Sequence, residues 1–171
     1  MRVSIRPLRE SDALTSYAWR NDPDIWRYTG KRPDREITPE MELEWIRKVL
    51  ARPDEKRFAV CVGDEMEYVG NAQLTDISPT QAQFHIFIGK KEYHGKGIGT
   101  EATRLVLLHA FEVLQLRQVY LKVNRSNVAA VRAYEKCGFR ITAESGSTLI
   151  MTAEGPAEPK SLDSTSRGPA S

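Results

Sequence analysis

A glycine-rich loop between an apolar strand and an apolar helix constrains this chain more than any other stretch. Residues 84–89, which precede the loop, are β-branched and aromatic and predict a strand, whereas residues 105–111 predict a helix. Glycines let backbone N–H groups approach a ligand, and the first helical turn presents free N–H groups at the positive end of its dipole. The arrangement predicts a phosphate site, although a tight turn without a ligand would use the same glycines.

The glycine spacing excludes two familiar phosphate-binding motifs. Gly95, Gly97 and Gly99 are spaced G-x-G-x-G, and Thr100 stands where a dinucleotide-binding fingerprint needs its third glycine. A Walker loop would need a Lys-Ser or Lys-Thr pair after its glycines, and the sequence has none at that spacing. A further motif is needed to decide what the loop does.

Residues 127–139 supply that motif, with the pattern N-x-x-A-x-x-x-Y-x-x-x-G-F. Together with the loop, this pattern resembles the GNAT N-acetyltransferase superfamily, in the subgroup of ribosomal-protein N-terminal, polyamine and nucleotide-amino-sugar acetyltransferases. The loop resembles the family's pyrophosphate-binding sequence [Q/R]-x-x-G-x-[G/A]. His94 departs from it, since the family usually has Gln or Arg there, and this leaves the role of that side chain open.

Composition limits the other classes of function. The chain has 171 residues, which suit one domain, and its 25 basic and 23 acidic residues give a net charge of only +2. We expect neither nucleic acid nor a membrane as partner, and the lack of a long apolar run or signal peptide predicts a cytoplasmic protein. Cys61 and Cys137 are expected to be free thiols, and the scattered histidines and cysteines predict no metal site.

The periodicity of the chain predicts an α/β fold in the order β-α-α-β-β-β-α-β-α-β-β, and the GNAT resemblance implies the strand pairing of its mixed sheet. A helix capped by Ser11 is predicted to bury Leu14, Tyr17 and Ala18, and a second begins at Thr38 and Pro39. The order agrees with the GNAT fold that the resemblance implies. We expect one domain over residues 1–152 and a disordered tail over residues 153–171, because the tail has little to bury.

The resemblance implies acetyl-CoA as co-substrate. It assigns Tyr134 as the acid that protonates the leaving thiolate, although a core aromatic would fit the same helix. Asn127 is either a contact of the pantetheine arm, the N-cap of its helix, or both. The other cofactor contacts implied are the oxyanion donors Phe87 and Ile88 and the loop residues His94, Gly95, Lys96, Gly97, Ile98, Gly99 and Thr100.

The general base is the least defined of the catalytic groups. His85 is a candidate because it lies on the strand that enters the loop and titrates near neutrality, although a structural histidine would fit as well. Glu101 is explained by the helix dipole, and His109 by a structural position in an apolar helix. A water chain, which the superfamily often uses, would leave no residue signature.

The acceptor must be inferred from the first helices, which cover the acceptor site in the family. The segment from Trp19 to Ile25 resembles the W-R-N-x-P-D-I segment of acetyltransferases for nucleotide-linked amino sugars, which is the preferred acceptor. Alternatives are protein N-termini, polyamines, aminoglycosides, or a non-catalytic acetyl-CoA-binding module. We expect a small-molecule amine as partner and leave a homodimer open. The predicted acceptor contacts are Trp19, Asn21, Trp26, Tyr28 and His85.

Overall fold

The computed structural model describes residues 1–156, in which seven strands form one sheet and helices cover both of its faces. The strands are β1 (Val3–Pro7), β2 (Lys56–Val62), β3 (Glu67–Thr75), β4 (Gln81–Ile88), β5 (Gln118–Asn124), β6 (Arg140–Ser145) and β7 (Thr148–Glu154). The helices are α1 (Ala13–Asn21), α2 (Pro23–Thr29), α3 (Pro39–Leu50), α4 (Ile98–Leu108) and α5 (Val128–Lys136). One π-helical turn, His109–Val113, continues α4.

The sheet has the strand order β1-β2-β3-β4-β5-β7-β6, which confirms the predicted mixed sheet. Only β4 and β5 are parallel neighbours, and every other neighbouring pair is antiparallel. The pairing of β4 with β5 ends at Gln83 and Tyr120. Beyond these residues the two strands separate, so the second half of β4 has a partner strand on one side only.

The alternation of side chains along β2 divides the core between the two faces of the sheet. Phe58, Val60 and Val62 pack in the larger cluster with residues of α4 and α5. Ala59 and Cys61 point the other way, into a smaller cluster with residues of α1 and α3. The sheet therefore separates a face covered by α4 and α5 from a face covered by α1, α2 and α3.

Two local features differ from the sequence expectations. Asp22 ends α1 as predicted, but its side chain also caps a further short helix, α2, because Pro23 suits the first helical position. The predicted buried stripe of α1 is wrong, since Leu14 is 72% exposed. Ser16 and Trp19 face inward instead, because α1 packs against α3 through a polar contact as well as apolar ones.

The last strand is longer than expected. β7 continues to Glu154, and Ala153 is buried opposite Val119 of β5, so the boundary expected after residue 152 falls inside a strand. Most of the predicted disordered tail, residues 157–171, lies outside the described residues. Within residues 1–156, no helix combines the length and apolar character needed to cross a membrane.

Candidate active site

The glycine loop ends in a row of unpaired backbone donors. Gly95 and Gly97 have φ angles of +75° and +79°, in the left-handed region that favours glycine, and Gly97 is the N-cap of α4. Among the described residues, none accepts a hydrogen bond from the backbone N–H groups of residues 95–100. No atom lies within 4 Å of the position that a Cβ of Gly95, Gly97 or Gly99 would occupy. The loop therefore presents an open cradle of donors at the positive end of α4.

His94 has a structural partner rather than an open side chain. Its Nε2 donates to the carbonyl oxygen of Ile88 over 2.7 Å, which ties the loop to the end of β4. The Lys96 side chain is exposed beside the loop. A cavity of about 490 Å³ borders Lys96 and Gly97 from the side of the N-terminal residues and includes no residue of β4, β5 or α5. It is therefore distinct from the opening between β4 and β5.

Backbone donors also face the opening between β4 and β5. The N–H of Gly89 donates to Val69 on β3, and antiparallel alternation then directs the N–H of Phe87 toward β3 as well. The N–H groups of Ile86 and Ile88 point the other way, where β5 has already separated from β4. The N–H of Ile88 is therefore directed into the opening, and its role as oxyanion donor stays a prediction. The N–H of Phe87 faces its partner strand, which argues against the same role for Phe87.

Tyr134 is a residue of α5, and its ring lies beside β4, the strand that separates from β5. Its ring is 6.5 Å from that of Phe84 on β4 and 5.7 Å from that of Phe139, edge-on in both cases. No described residue makes a hydrogen bond with the Tyr134 hydroxyl. Burial, with a smaller contribution from Cys137, raises the pKa of Tyr134 to about 12. The phenol is therefore protonated at neutral pH and has a proton to donate.

Asn127 caps the helix that carries Tyr134. Its Oδ1 accepts a hydrogen bond from the backbone N–H of Ala130 over 3.2 Å, as the sequence predicted for the N-cap. The side-chain NH₂ of Asn127 takes no part in the cap. A role in binding the pantetheine arm is thus compatible with the cap and stays a prediction.

His85 lies on the other face of β4 from Tyr134. Its Nε2 is 3.1 Å from Oγ1 of Thr75. Burial lowers the pKa of His85, and the nearby charges of Lys31 and Arg57 lower it further. The imidazole is therefore neutral at pH 7 and able to accept a proton. The ring of His109, by contrast, packs against Phe58 at 5.1 Å, in the structural position expected for it.

Two of the predicted acceptor contacts have their side chains occupied by the fold. Trp19 is 7% exposed, and its ring fills the space over Gly89, where any Cβ would come within 2.1 Å of it. The Asn21 amide accepts from the N–H of Ile37 over 2.7 Å and donates to its carbonyl oxygen over 2.8 Å. Both residues thus hold α1 in place, which accounts for them without an acceptor molecule.

Two more of the five predicted acceptor contacts, Trp26 and Tyr28, belong to α2, and the fifth is His85 on β4. Trp26 is half-buried, and the guanidinium groups of Arg27 and Arg32 lie over its ring at 6.0 and 5.4 Å. The side chain of Tyr28 lies outside the described part of the chain. A contact of either residue with an acceptor stays a prediction.

Strand pairing brings together a polar row that sequence reasoning missed. Arg57 on β2 pairs with Gln73 on β3, and Gln73 pairs with His85 on β4. A small cavity of about 30 Å³ on the same face is lined by Trp45, Arg57, Asn71, Gln73 and Phe87, among others. Nothing in the sequence marked Arg57 or Gln73, because only the register places them beside His85. Within residues 1–156, no cluster of three His, Cys, Asp or Glu side chains could hold a metal ion.

Known sequences place this architecture in a family. Residues 2–140 match the acetyltransferase (GNAT) domain. Spermidine N(1)-acetyltransferase of Escherichia coli (strain K12) is 32% identical over 145 residues, which cover 83% of this chain and 75% of that protein. The probable N-acetyltransferase YjcK of Bacillus subtilis (strain 168) is 28% identical over 144 residues, which cover 80% of each protein. The Escherichia coli relative is a spermidine acetyltransferase, whereas the acceptor that the sequence favoured was a nucleotide-linked amino sugar.

Solved structures show the same fold. Spermidine N-acetyltransferase from Vibrio cholerae in complex with CoA and spermine has a TM-score of 0.75 at 24% identity, over 88% of this chain and 92% of that one. Aminoglycoside acetyltransferase AAC(6')-Ib in complex with coenzyme A has a TM-score of 0.74 at 22% identity, over 90% and 95%. Both of those structures contain coenzyme A. On the family match and the identity to its relatives, this chain belongs to the GNAT family of acetyltransferases.

Proposed function

We propose that this chain transfers the acetyl group of acetyl-CoA to a primary amine of a small molecule, with polyamines as the acceptor class. The observation that carries the proposal is the row of unpaired backbone N–H groups at residues 95–100, next to the opening between β4 and β5. The acceptor class is supported by the spermidine acetyltransferases among the relatives.

The cradle at the start of α4 would bind the pyrophosphate of acetyl-CoA. Free N–H groups and the dipole of α4 both favour a doubly charged anion, and Gly97 and Gly99 leave room for it to approach the backbone. From the cradle, the pantetheine arm would enter the opening between β4 and β5. The amide oxygens and N–H groups of the arm would then replace the strand pairing that β4 and β5 lack there.

The thioester would react at the point where β4 presents Ile86 and Ile88. A neutral amine attacks the thioester carbonyl carbon, a C–N bond forms, and the carbonyl oxygen becomes an oxyanion that accepts a hydrogen bond from the N–H of Ile88. Collapse of this intermediate breaks the C–S bond. Tyr134 then gives its proton to the departing thiolate. The attacking nitrogen, which became cationic when the C–N bond formed, loses a proton that returns through solvent to the Tyr134 phenolate, so the products are a neutral N-acetyl amine and coenzyme A.

The amine must lose a proton before or during its attack, because an ammonium group has no lone pair. His85 is the proposed base. It is one residue from Ile86, and its lowered pKa keeps the imidazole neutral at pH 7. His85 and Tyr134 lie on opposite faces of β4, so the amine and the sulfur would approach the carbonyl from different sides.

A pair of carboxylates near the end of β4 is compatible with a polyamine. Asp22, the N-cap of α2, and Asp24 in its first turn both bind Nζ of Lys91, at 3.1 and 3.0 Å. An ammonium group of a polyamine offers the same donors and charge as Lys91 Nζ, so it could take that place. The relatives, rather than this contact, are the main support for the acceptor class.

The experiment that tests the proposal measures coenzyme A release from acetyl-CoA with a panel of amines. Spermidine and spermine should give turnover, and mass spectrometry should find one acetyl group added to the amine. A nucleotide-linked amino sugar, an aminoglycoside and a peptide with a free N-terminus form the other arms. Turnover with one of those arms alone would replace the acceptor class. Acetyl-CoA binding without turnover on any amine would indicate that the chain is a non-catalytic acetyl-CoA-binding module.

Assembly is a separate proposal. The spermidine N-acetyltransferase of Vibrio cholerae has been solved as a dodecamer, whereas the sequence of this chain left a homodimer open. We retain the homodimer as the proposed assembly. Light scattering on the purified chain gives its mass in solution, and a mass of six or more protomers would replace the dimer.

A further inference from the structure

The imidazole of His85 has two nitrogens in different surroundings. Nε2 lies 3.1 Å from the hydroxyl oxygen of Thr75. Thr75 is on β3, on the same face of the strand as Asn71. Nδ1 makes no hydrogen bond with any described residue. Among the described side chains, His109 Nε2 is the buried nitrogen or oxygen without a hydrogen-bond partner, so Nδ1 of His85 keeps some contact with solvent. The ring is thus held at one nitrogen and accessible at the other.

We propose that Thr75 is a positioning residue that sets the tautomer of His85. Its hydroxyl oxygen accepts a hydrogen bond from Nε2–H, which leaves the lone pair on Nδ1 facing the acceptor amine. This inference rests on the proposed acetyl transfer, because it concerns the base of that reaction.

The hydroxyl of Thr75 suits both protonation states of the ring. When Nδ1 takes a proton from the acceptor ammonium, the ring becomes an imidazolium and Nε2–H still donates to Thr75. Neither the ring nor the hydroxyl has to turn during the proton transfer. In the opposite tautomer, Thr75 would donate to Nε2, Nδ1 would already carry its proton, and the open nitrogen could not act as a base.

The charges around His85 keep the ring neutral until it takes that proton. Lys31 and Arg57 disfavour the imidazolium, while Asp76 and Glu55 favour it. Arg57 and Glu55 are themselves paired, with Arg57 Nη2 2.7 Å from Glu55 Oε1, so their effects on the ring partly cancel. Burial is the larger influence and favours the neutral ring, which is the form that the proposed tautomer requires.

The tautomer can be read by NMR without any substrate. The test uses the full chain labelled with ¹⁵N-histidine, at a pH above the His85 pKa, and assigns the His85 signals by their loss in a His85→Gln variant. We expect Nε2 to carry the proton and Nδ1 to be unprotonated. A protonated Nδ1 in the unmodified chain would overturn the proposal, whether or not the protein acetylates amines.

Kinetics then test whether the tautomer serves the reaction. Thr75→Val should lower kcat about tenfold, the order of one hydrogen bond to a charged group. It should also move the acidic limb of the kcat profile to lower pH, because the imidazolium loses an acceptor. Thr75→Ser should restore both kcat and the pH at which the acidic limb of the kcat profile falls. The acceptor is the amine found by the panel above, with spermidine as the first probe.

Thr152→Val is the matched control, because Thr152 is also a strand threonine whose hydroxyl is hydrogen-bonded, at 2.9 Å from Thr142 Oγ1. Thr152→Val should lower the free energy of unfolding without moving the acidic limb of the kcat profile. If Thr75→Val lowers kcat with the limb unmoved, or if Thr75→Ser behaves like Thr75→Val, Thr75 is only structural and the proposal is wrong. If no amine is acetylated, the proposed function fails, while the NMR result still decides the tautomer.

Discussion

The imidazole of His94 donates a hydrogen bond from Nε2 to the carbonyl oxygen of Ile88, over 2.7 Å. This contact joins the first residue of the glycine loop to the residue whose N–H is the proposed oxyanion donor. Because the N–H and the carbonyl oxygen of Ile88 point to the same side of β4, His94 positions the end of the strand as well as the loop. A histidine can therefore occupy the place of the usual Gln or Arg with a role of its own.

We expect His94→Ala to raise KM for acetyl-CoA about five- to tenfold, the effect of one hydrogen bond that organises both loop and strand. His94→Gln should raise this KM less than His94→Ala does, because a Gln amide can also donate to the Ile88 carbonyl. Steady-state kinetics at saturating amine measure the two variants. Equal KM values for His94→Ala and the unmodified chain would show that the contact does not organise the site.

Gly97→Ala should weaken acetyl-CoA binding about tenfold and destabilise the fold by about 1–2 kcal/mol, because alanine is strained at a φ of +79°. Gly146→Ala is the control, since Gly146 has a φ of +61° in the turn between β6 and β7. It should lower stability by a similar amount and leave affinity unchanged. Calorimetry with acetyl-CoA and thermal melts separate the two effects. Equal losses of affinity in both variants would argue against the cradle.

Tyr134→Phe should lower kcat about a hundredfold, the typical contribution of a general acid, and leave the dissociation constant of acetyl-CoA within about twofold. The ring contacts with Phe84 and Phe139 survive the change, so the fold should be retained. Single-turnover kinetics and calorimetry give the two quantities. A parallel loss of turnover and cofactor affinity would assign Tyr134 to binding rather than to proton transfer.

The pH dependence of kcat follows from the two shifted groups. The pKa of His85 lies below its usual 6.5, so turnover should fall only as the pH drops through that lower value. The pKa of Tyr134 is raised to about 12, so the acid stays protonated and causes no fall on the alkaline side up to about pH 10. A kcat profile from pH 5 to 10 checks both limbs. An acidic limb that persists in His85→Gln would exclude His85 as the base.

Asn21→Ala should destabilise the fold by about 1–3 kcal/mol, because the N–H and carbonyl groups of Ile37 lose their partners. Asn21→Asp keeps the oxygen that accepts from the Ile37 N–H, so it should destabilise the fold less than Asn21→Ala does. Urea unfolding measures both variants. Under conditions in which both variants are folded, their KM for the amine should equal that of the unmodified chain. A raised KM for the amine in either variant would return Asn21 to the acceptor site, as the sequence suggested.

The sequence by itself determined the local features of the fold and of the proposed cofactor site. The glycine loop, the N-cap at Asn127 and the helix with Tyr134 each depend on residues close together in the chain. Their conformations follow from short-range effects, such as the φ freedom of Gly97 and the capping of Ala130 by Asn127. The helix start at Thr38 could be predicted for the same reason, since Thr38 accepts a hydrogen bond from the N–H of Met41.

Tertiary structure alone decided which distant residues meet. The pairing of Arg57 with Gln73 and of Gln73 with His85 depends on strand register, and the packing of Trp19 against Gly89 depends on where α1 lies on the sheet. One-residue changes of register would send these side chains to the other face. Periodicity shows that a strand has two faces, but only long-range packing selects the neighbours across them. For that reason the sequence marked His85 and missed Thr75.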